Sequence, residues 1–69
     1  TIVCLATVYV ERNGEKEEVM QDVAWIKPAG RGLRLMGLMG ETRLVQAKIK
    51  EIDLMSSSIT LQGATSDSE

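Results

Sequence analysis

The longest apolar run in the chain is Ile2-Val3-Cys4-Leu5-Ala6-Thr7-Val8-Tyr9-Val10, where β-branched and aromatic residues exceed what a helix favours. This predicts an opening strand. Successive side chains in a strand point to opposite faces, so one face carries Ile2, Cys4, Ala6, Val8 and Val10, and the other Val3, Leu5, Thr7 and Tyr9. Both faces are largely apolar, as expected of a strand with core on one side and further cover on the other. A second copy of the chain, meeting the face of Val3, Leu5 and Tyr9, is the natural cover. Asn13-Gly14 then predicts a two-residue type I′ turn, because that turn needs positive φ at both central positions. Glu15-Lys16-Glu17-Glu18-Val19-Met20 returns as a second strand whose charged part discourages edge pairing.

Further on, the pattern stays strand-like and short. Gln21-Asp22 reads as a break, and Val23-Ala24-Trp25-Ile26-Lys27 as a third strand ended by Pro28, with Trp25 in the core. Pro28-Ala29-Gly30-Arg31-Gly32 is a turn, Leu33-Arg34-Leu35-Met36 a fourth strand, and Gly37-Leu38-Met39-Gly40 a bend. Thr42-Arg43-Leu44-Val45-Gln46 and the stretch from Ala47 to Leu54 carry the next strands, with a helix over residues 43–54 as the competing reading. In the second of them the apolar alternation slips by one residue near Lys50-Glu51, which requires a bulge or sharp bend. Ser56-Ser57-Ser58 is a turn and Ile59-Thr60-Leu61 a last strand. Residues 63–69 form a polar tail that buries too little to order itself. The fold expected is all-β: one domain over residues 1–62, a small antiparallel barrel of the SH3-like or Sm-like kind with about six or seven short strands.

Size sharpens this picture. A chain of 69 residues supports one small core and is marginal alone. It holds one cysteine and no histidine, so an internal disulfide and a zinc-finger set are excluded. The remaining staples are a partner subunit or a metal shared between subunits, which again points to a homodimer. Among aromatics only Tyr9 and Trp25 occur, so Val, Ile, Leu and Met must fill the core, with four methionines as adaptable filler. No run of eighteen apolar residues suggests a membrane span, and no signal-peptide pattern opens the chain; the expected location is cytoplasmic.

Catalytic chemistry finds no footing here. Without histidine, a Ser/His/Asp set or a second cysteine, the chain reads as a non-enzyme. Glu17 and Glu18 are strand neighbours pointing to opposite faces, hence a solvated hairpin and not a catalytic pair. The glycines at 37 and 40 lack the lysine-serine continuation of a phosphate loop. The net charge of −2 argues against a general nucleic-acid binder, yet residues 27–50 hold Lys27, Arg31, Arg34, Arg43, Lys48 and Lys50 against Glu41. Glu51 follows directly. RNA binding through these six is the lesser alternative, since sequence-tolerant readers stack bases on aromatic platforms that this chain barely has. A ligand-free dimeric interaction module is the third reading.

Cys4, taken alone, is a small apolar residue in a strand, with metal binding as the alternative. Its context adds more. Cys4-Leu5-Ala6-Thr7-Val8-Tyr9-Val10-Glu11, Asn13-Gly14, Val19-Met20-Gln21-Asp22-Val23, Ile26, the turn at Gly30 to Gly32, Leu33-Arg34-Leu35 and Ala47-Lys48-Ile49-Lys50-Glu51-Ile52-Asp53 together resemble the CooT family of small nickel-binding proteins. The resemblance extends to about Leu61, and many members are also labelled predicted RNA-binding proteins. It implies a small dimeric β-barrel, a nickel enzyme or its maturation factors as partners, and a role as nickel chaperone. It also implies Ni(II) ligation by the Cys4 thiolate, a free amine and the Leu5 amide nitrogen, donors that suit square-planar Ni(II). In the proteins it resembles, the matching cysteine directly follows the initiator methionine. Here Thr1-Ile2-Val3 precede it and would displace the amine. One reading that the resemblance implies puts Val3 at the initiator's position, as when a non-AUG start is read as valine.

Overall fold

The computed structural model describes residues 5–63, so the readings placed on residues 1–4 and 64–69, Cys4 among them, lie outside the described residues. Six strands form one sheet: β1 (Ala6–Arg12), β2 (Glu15–Ala29), β3 (Gly32–Gly37), β4 (Thr42–Val45), β5 (Ala47–Asp53) and β6 (Ser58–Gly63). Their order across the sheet is β4-β3-β2-β1-β6-β5.

The first hairpin forms as its turn residues require. Arg12 pairs with Glu15 across Asn13 and Gly14, whose φ values of 52° and 81° meet the type I′ demand. Beyond it, β2 does not break at Gln21-Asp22 but continues for 15 residues. Extra residues are absorbed against β1 between Ala6 and Tyr9, and against β3 between Val23 and Trp25, while Asp22 takes φ 53°. Bulges re-aim a strand without ending it. Residues 15–20 therefore pair with β1 and residues 25–29 with β3, while Val23 pairs with both, through Ala6 and Gly37.

Pro28 does not end the strand either. Ala29 pairs with Gly32 across Gly30 and Arg31, and Gly30 at φ 62° supplies the first central position of a type II′ turn. In such a hairpin the closing pair is the hydrogen-bonded one, so the next pair, Pro28 with Leu33, needs no donor from Pro28 towards β3. The bend after β3 is a tight turn. Gly40 N–H donates to the Gly37 carbonyl at 3.0 Å, Gly37 N–H to Glu41 O at 2.8 Å, and Leu38 N–H to Asp22 O at 2.9 Å. The Glu41 carboxylate lies over Gly37, in the space a Cβ at that position would fill.

β5 is a strand, not part of a helix, and the slip in its alternation is a bulge: Ile49 pairs with Leu61 and Glu51 with Thr60, leaving Lys50 as the extra residue. The chain then reverses through the serine turn, where Ser57 has φ 54°. β6 returns parallel to β1, with Val8 beside Ile59 and Val10 beside Leu61. The sheet is thus mixed, not purely antiparallel.

It is also not closed into a barrel. β4 and β5 are joined through Gln46 yet stand at opposite ends of the strand order and share no ladder. Val45 and Ala47 both face the core at this corner, where Gly32 lies against the Val45 carbonyl. The result is a strongly bent open sheet. Its core comprises Val8, Val10, Val23, Leu35, Val45, Ala47 and Leu61, with Val19, Met20, Ile26, Leu33 and Ile59 packed around them. Val8, Leu35 and Leu61 are fully buried, each contributing about 1.5–3 kcal/mol. Trp25 is not in this core. The bulge after Val23 changes which residues face inward, so Ile26 packs against the core and Trp25 stays half-buried with Lys27 Nζ 4.5 Å from its ring centroid.

Candidate functional site at the amino-terminal strand

Of the residues expected to hold a metal, only Leu5 is described, and it directly precedes β1 in sequence. Cys4 is outside the described residues; Leu5 is half-buried and directly precedes the first ladder pair, Ala6 with Val23. The strand's start is fastened to the serine turn, since Thr7 N–H donates to the Ser57 carbonyl at 2.9 Å. That turn is built by Asp53. Its Oδ1 accepts Met55 N–H at 3.0 Å and Ser56 N–H at 3.3 Å, and the Ser56 hydroxyl bonds that of Ser58 at 2.8 Å. Hydrogen bonds from Ser56, its backbone foremost, hold the Asp53 carboxyl below its ordinary value of 3.8. No group of three metal-binding side chains occurs among the described residues.

Away from the core, β1 presents Thr7 and Tyr9 on its second face, both half-buried, with Lys16 Nζ 4.9 Å from the Tyr9 ring centroid. Glu11 continues that face and pairs with Lys50 from β5, while its carbonyl accepts Gln62 Nε2 at 3.4 Å. Lys16 therefore covers part of Tyr9, one of the residues expected to meet a second copy. The larger exposed apolar side chains are elsewhere. Ile49, Ile52, Leu54 and Met55 are exposed along β5 and its following turn, and Leu38 and Met39 at the turn after β3. Sequence reasoning assigns no role to either set. Their signal is present as apolar residues at a slipped register and between two glycines, but exposure depends on which strands are edges.

The six basic residues do not converge. Lys27 and Arg34 are direct cross-strand partners, and Arg31 sits in the turn between their strands. Arg43 is engaged at 3.1 Å with the Val19 carbonyl, and Lys48 and Lys50 lie on β5 at the far end of the sheet. An open trough of about 640 Å³, lined by Met20, Asp22, Leu38, Met39 and Arg43 among others, separates β4 from residues 15–20 of β2.

A bent, mixed six-stranded sheet without a group of three metal-binding side chains among the described residues defines a small all-β module. Residues 3–62 match the family described as CO dehydrogenase accessory protein CooT, and the chain belongs to that family. The fold agrees with the crystal structure of a protein assigned as CooT from Carboxydothermus hydrogenoformans. That similarity has a TM-score of 0.82 at 26% identity, over 88% of this chain and 98% of that one. No curated protein matches the chain.

Proposed function

We propose that this protein is a non-catalytic nickel carrier serving the maturation of CO dehydrogenase, and that it acts as a cytoplasmic homodimer. The observation that carries this reading is membership of the accessory family over residues 3–62, a span that includes Cys4. Nickel is cargo, taken up by the Cys4 thiolate, the Leu5 amide nitrogen and an amine. Adjacent thiolate and nitrogen donors form five-membered chelate rings that suit the square-planar preference of Ni(II). With no histidine and one thiol per chain, two copies contribute donors to one ion. Carriage also requires that the ion be released to a client.

Isothermal titration with Ni(II) tests this on three proteins: the chain beginning at Thr1, a form beginning at Cys4, and Cys4→Ser. The form beginning at Cys4 is expected to bind about one ion per dimer. The chain carrying Thr1-Ile2-Val3 should bind it much more weakly, because its amine is displaced, and Cys4→Ser should not bind it. Equal affinity in all three would remove the site and leave Cys4 as a packing residue. The RNA reading has less support, because its six basic residues are spread over both ends of the sheet.

A further inference from the structure

β4 and the first part of β2 flank a seam, and neither edge has a ladder partner on that side among the described residues. The pairing registers determine which main-chain groups face into it. Gly37 N–H donates to the Glu41 carbonyl, so the bonded pairs of β3 and β4, alternating from that turn, are Leu35 with Arg43 and Leu33 with Val45. Thr42 and Leu44 therefore aim their N–H and C=O groups away from β3, into the seam. On the other side, Arg12 with Glu15 closes a two-residue hairpin and is bonded, as is Val10 with Glu17. Lys16 and Glu18 thus aim their main-chain groups away from β1, into the same seam.

An extended segment is the ligand that two facing edges can bond at once. β2 and β4 are both antiparallel to β3 and run the same way, so one inserted strand can lie antiparallel to both. The seam has room for it. Laddered strands stand ~4.8 Å apart, whereas here only the far end of the Arg43 side chain, Nη1, reaches across to the Val19 carbonyl. Hollows of about 640 and 360 Å³ lie along the seam, and Arg43 lines both. Leu38 N–H bonds the Asp22 carbonyl at one end, and the other end reaches Gln46.

Charge selects the occupant. Glu17, Glu18, Asp22 and Glu41 border the seam, and the first three have no ion-pair partner among the described residues. Of the two cations there, Arg43 is engaged by the Val19 carbonyl and Arg12 lies along Gly63. Met20, Leu38 and Met39 offer apolar contact, Met39 being 86% exposed. The chain's own Asp67 and Glu69 carry the wrong sign for this border.

We infer that the seam is a docking slot for an extended segment of a partner protein in which Lys or Arg alternates with apolar residues, added as a strand between β4 and β2. Its main chain bonds Thr42 and Leu44 on one side and Lys16 and Glu18 on the other, while its cations meet the acidic border. Arg43 must leave the Val19 carbonyl for the segment to enter, so this arginine is a bar across the slot. Charged edges discourage indiscriminate pairing, and an acidic one favours a cationic strand. That the partner is the client of nickel delivery rests on the proposed carrier role; the slot itself uses neither Cys4 nor a metal.

The probe is a synthetic peptide capped at both ends, Lys-Val-Lys-Leu-Lys-Val-Lys, titrated into the full chain with a chelator present and followed by amide hydrogen exchange and NMR. Protection at the Lys16, Glu18, Thr42 and Leu44 amides is expected to rise with peptide concentration, while β5, at the far end of the strand order, stays unchanged. A peptide with glutamate for every lysine should bind at least about tenfold more weakly, as should the lysine peptide to Glu17→Lys with Glu18→Lys. A lysine peptide N-methylated at alternate residues, which cannot donate along one edge, should lose binding. Arg43→Ala should bind the lysine peptide severalfold more tightly, a direction that loss of a merely structural contact would not give. No added protection at the four amides, equal affinity for the two charge forms, undiminished binding of the methylated peptide, or binding by Arg43→Ala no tighter than native would each overturn the slot. Nickel titration of the form beginning at Cys4 is a separate readout: docking without nickel uptake keeps the slot and removes the carrier, and nickel uptake without docking does the reverse.

Discussion

Arg43 extends from β4 and donates through Nη1 to the Val19 carbonyl at 3.1 Å, across the one side of the bent sheet where β4 and the first part of β2 have no common ladder. Val19 is available because it is the extra residue where β1 and β2 change register, between Tyr9 with Glu18 and Val8 with Met20. A bulge leaves a residue outside the ladder. One guanidinium thus holds two parts of the sheet that main-chain bonds leave apart.

Removing that contact should cost little energy and have a localised effect. Arg43→Ala is expected to destabilise the fold by about 0.5–1.5 kcal/mol, the net value of a typical hydrogen bond, which in a domain this small lowers Tm by several degrees. Exchange should accelerate first at the amides of β4. Uniform acceleration over all strands, or an unchanged Tm, would show that Arg43 does not brace the seam.

Much of this arrangement can be read from the residues themselves. The turn at Asn13-Gly14 is legible because positive φ at two successive positions restricts the residue choice, and the bulge at Lys50 because apolar alternation slips there. The bend at Asp22 is only half legible. A polar Gln-Asp pair looks the same whether it ends a strand or kinks one, and here the ladder to β1 and the Leu38 N–H bond to Asp22 O keep the chain in the sheet. The core position expected for Trp25 fails for the same reason, since one extra residue after Val23 changes the face of the residues beyond it. Closure is less legible still. Whether β4 and β5 pair depends on β6 inserting beside β1, a long-range choice that no local pattern encodes. The proposed metal residues are read from the sequence alone, since Cys4 lies outside the described residues; the anchoring of Thr7 to Ser57 has no local sequence signal.

Asp53 gives that anchoring a pH dependence. Its carboxyl is held below the ordinary 3.8 chiefly by hydrogen bonds from Ser56, with a further contribution from Met55 N–H. A depressed carboxylate stabilises the folded state above its unfolded pKa, and the contribution is lost as pH falls through the lower, folded value. The serine turn should therefore be intact at neutral pH and loosen only below 3.8. NMR titration of the Asp53 side-chain carbon should give a midpoint under 3.8, with the Met55 and Ser56 amides moving in step. A midpoint at or above that value would mean the turn draws nothing from the charge. Asp53→Ala should abolish the pH response of both amides.

The last prediction concerns Lys27 and Arg34, which face each other directly across β2 and β3. Like charges in this position are unfavourable, and Lys27 partly relieves the repulsion by lying over the Trp25 ring. If nucleic-acid binding explains the pair, both charges are needed, and affinity for single-stranded RNA should fall steeply with salt as counterions are released. If the pair is a solvated surface, Arg34→Glu turns a repulsion into an attraction and should raise stability by about 0.2–1 kcal/mol. The second outcome is expected, because the remaining basic residues are too dispersed to form a track for a phosphate backbone. Thermal melts of the native chain and Arg34→Glu, together with fluorescence anisotropy using labelled single-stranded RNA at low salt, distinguish the two. A lower Tm for Arg34→Glu, combined with salt-sensitive RNA binding that the substitution abolishes, would move the basic residues from surface to site.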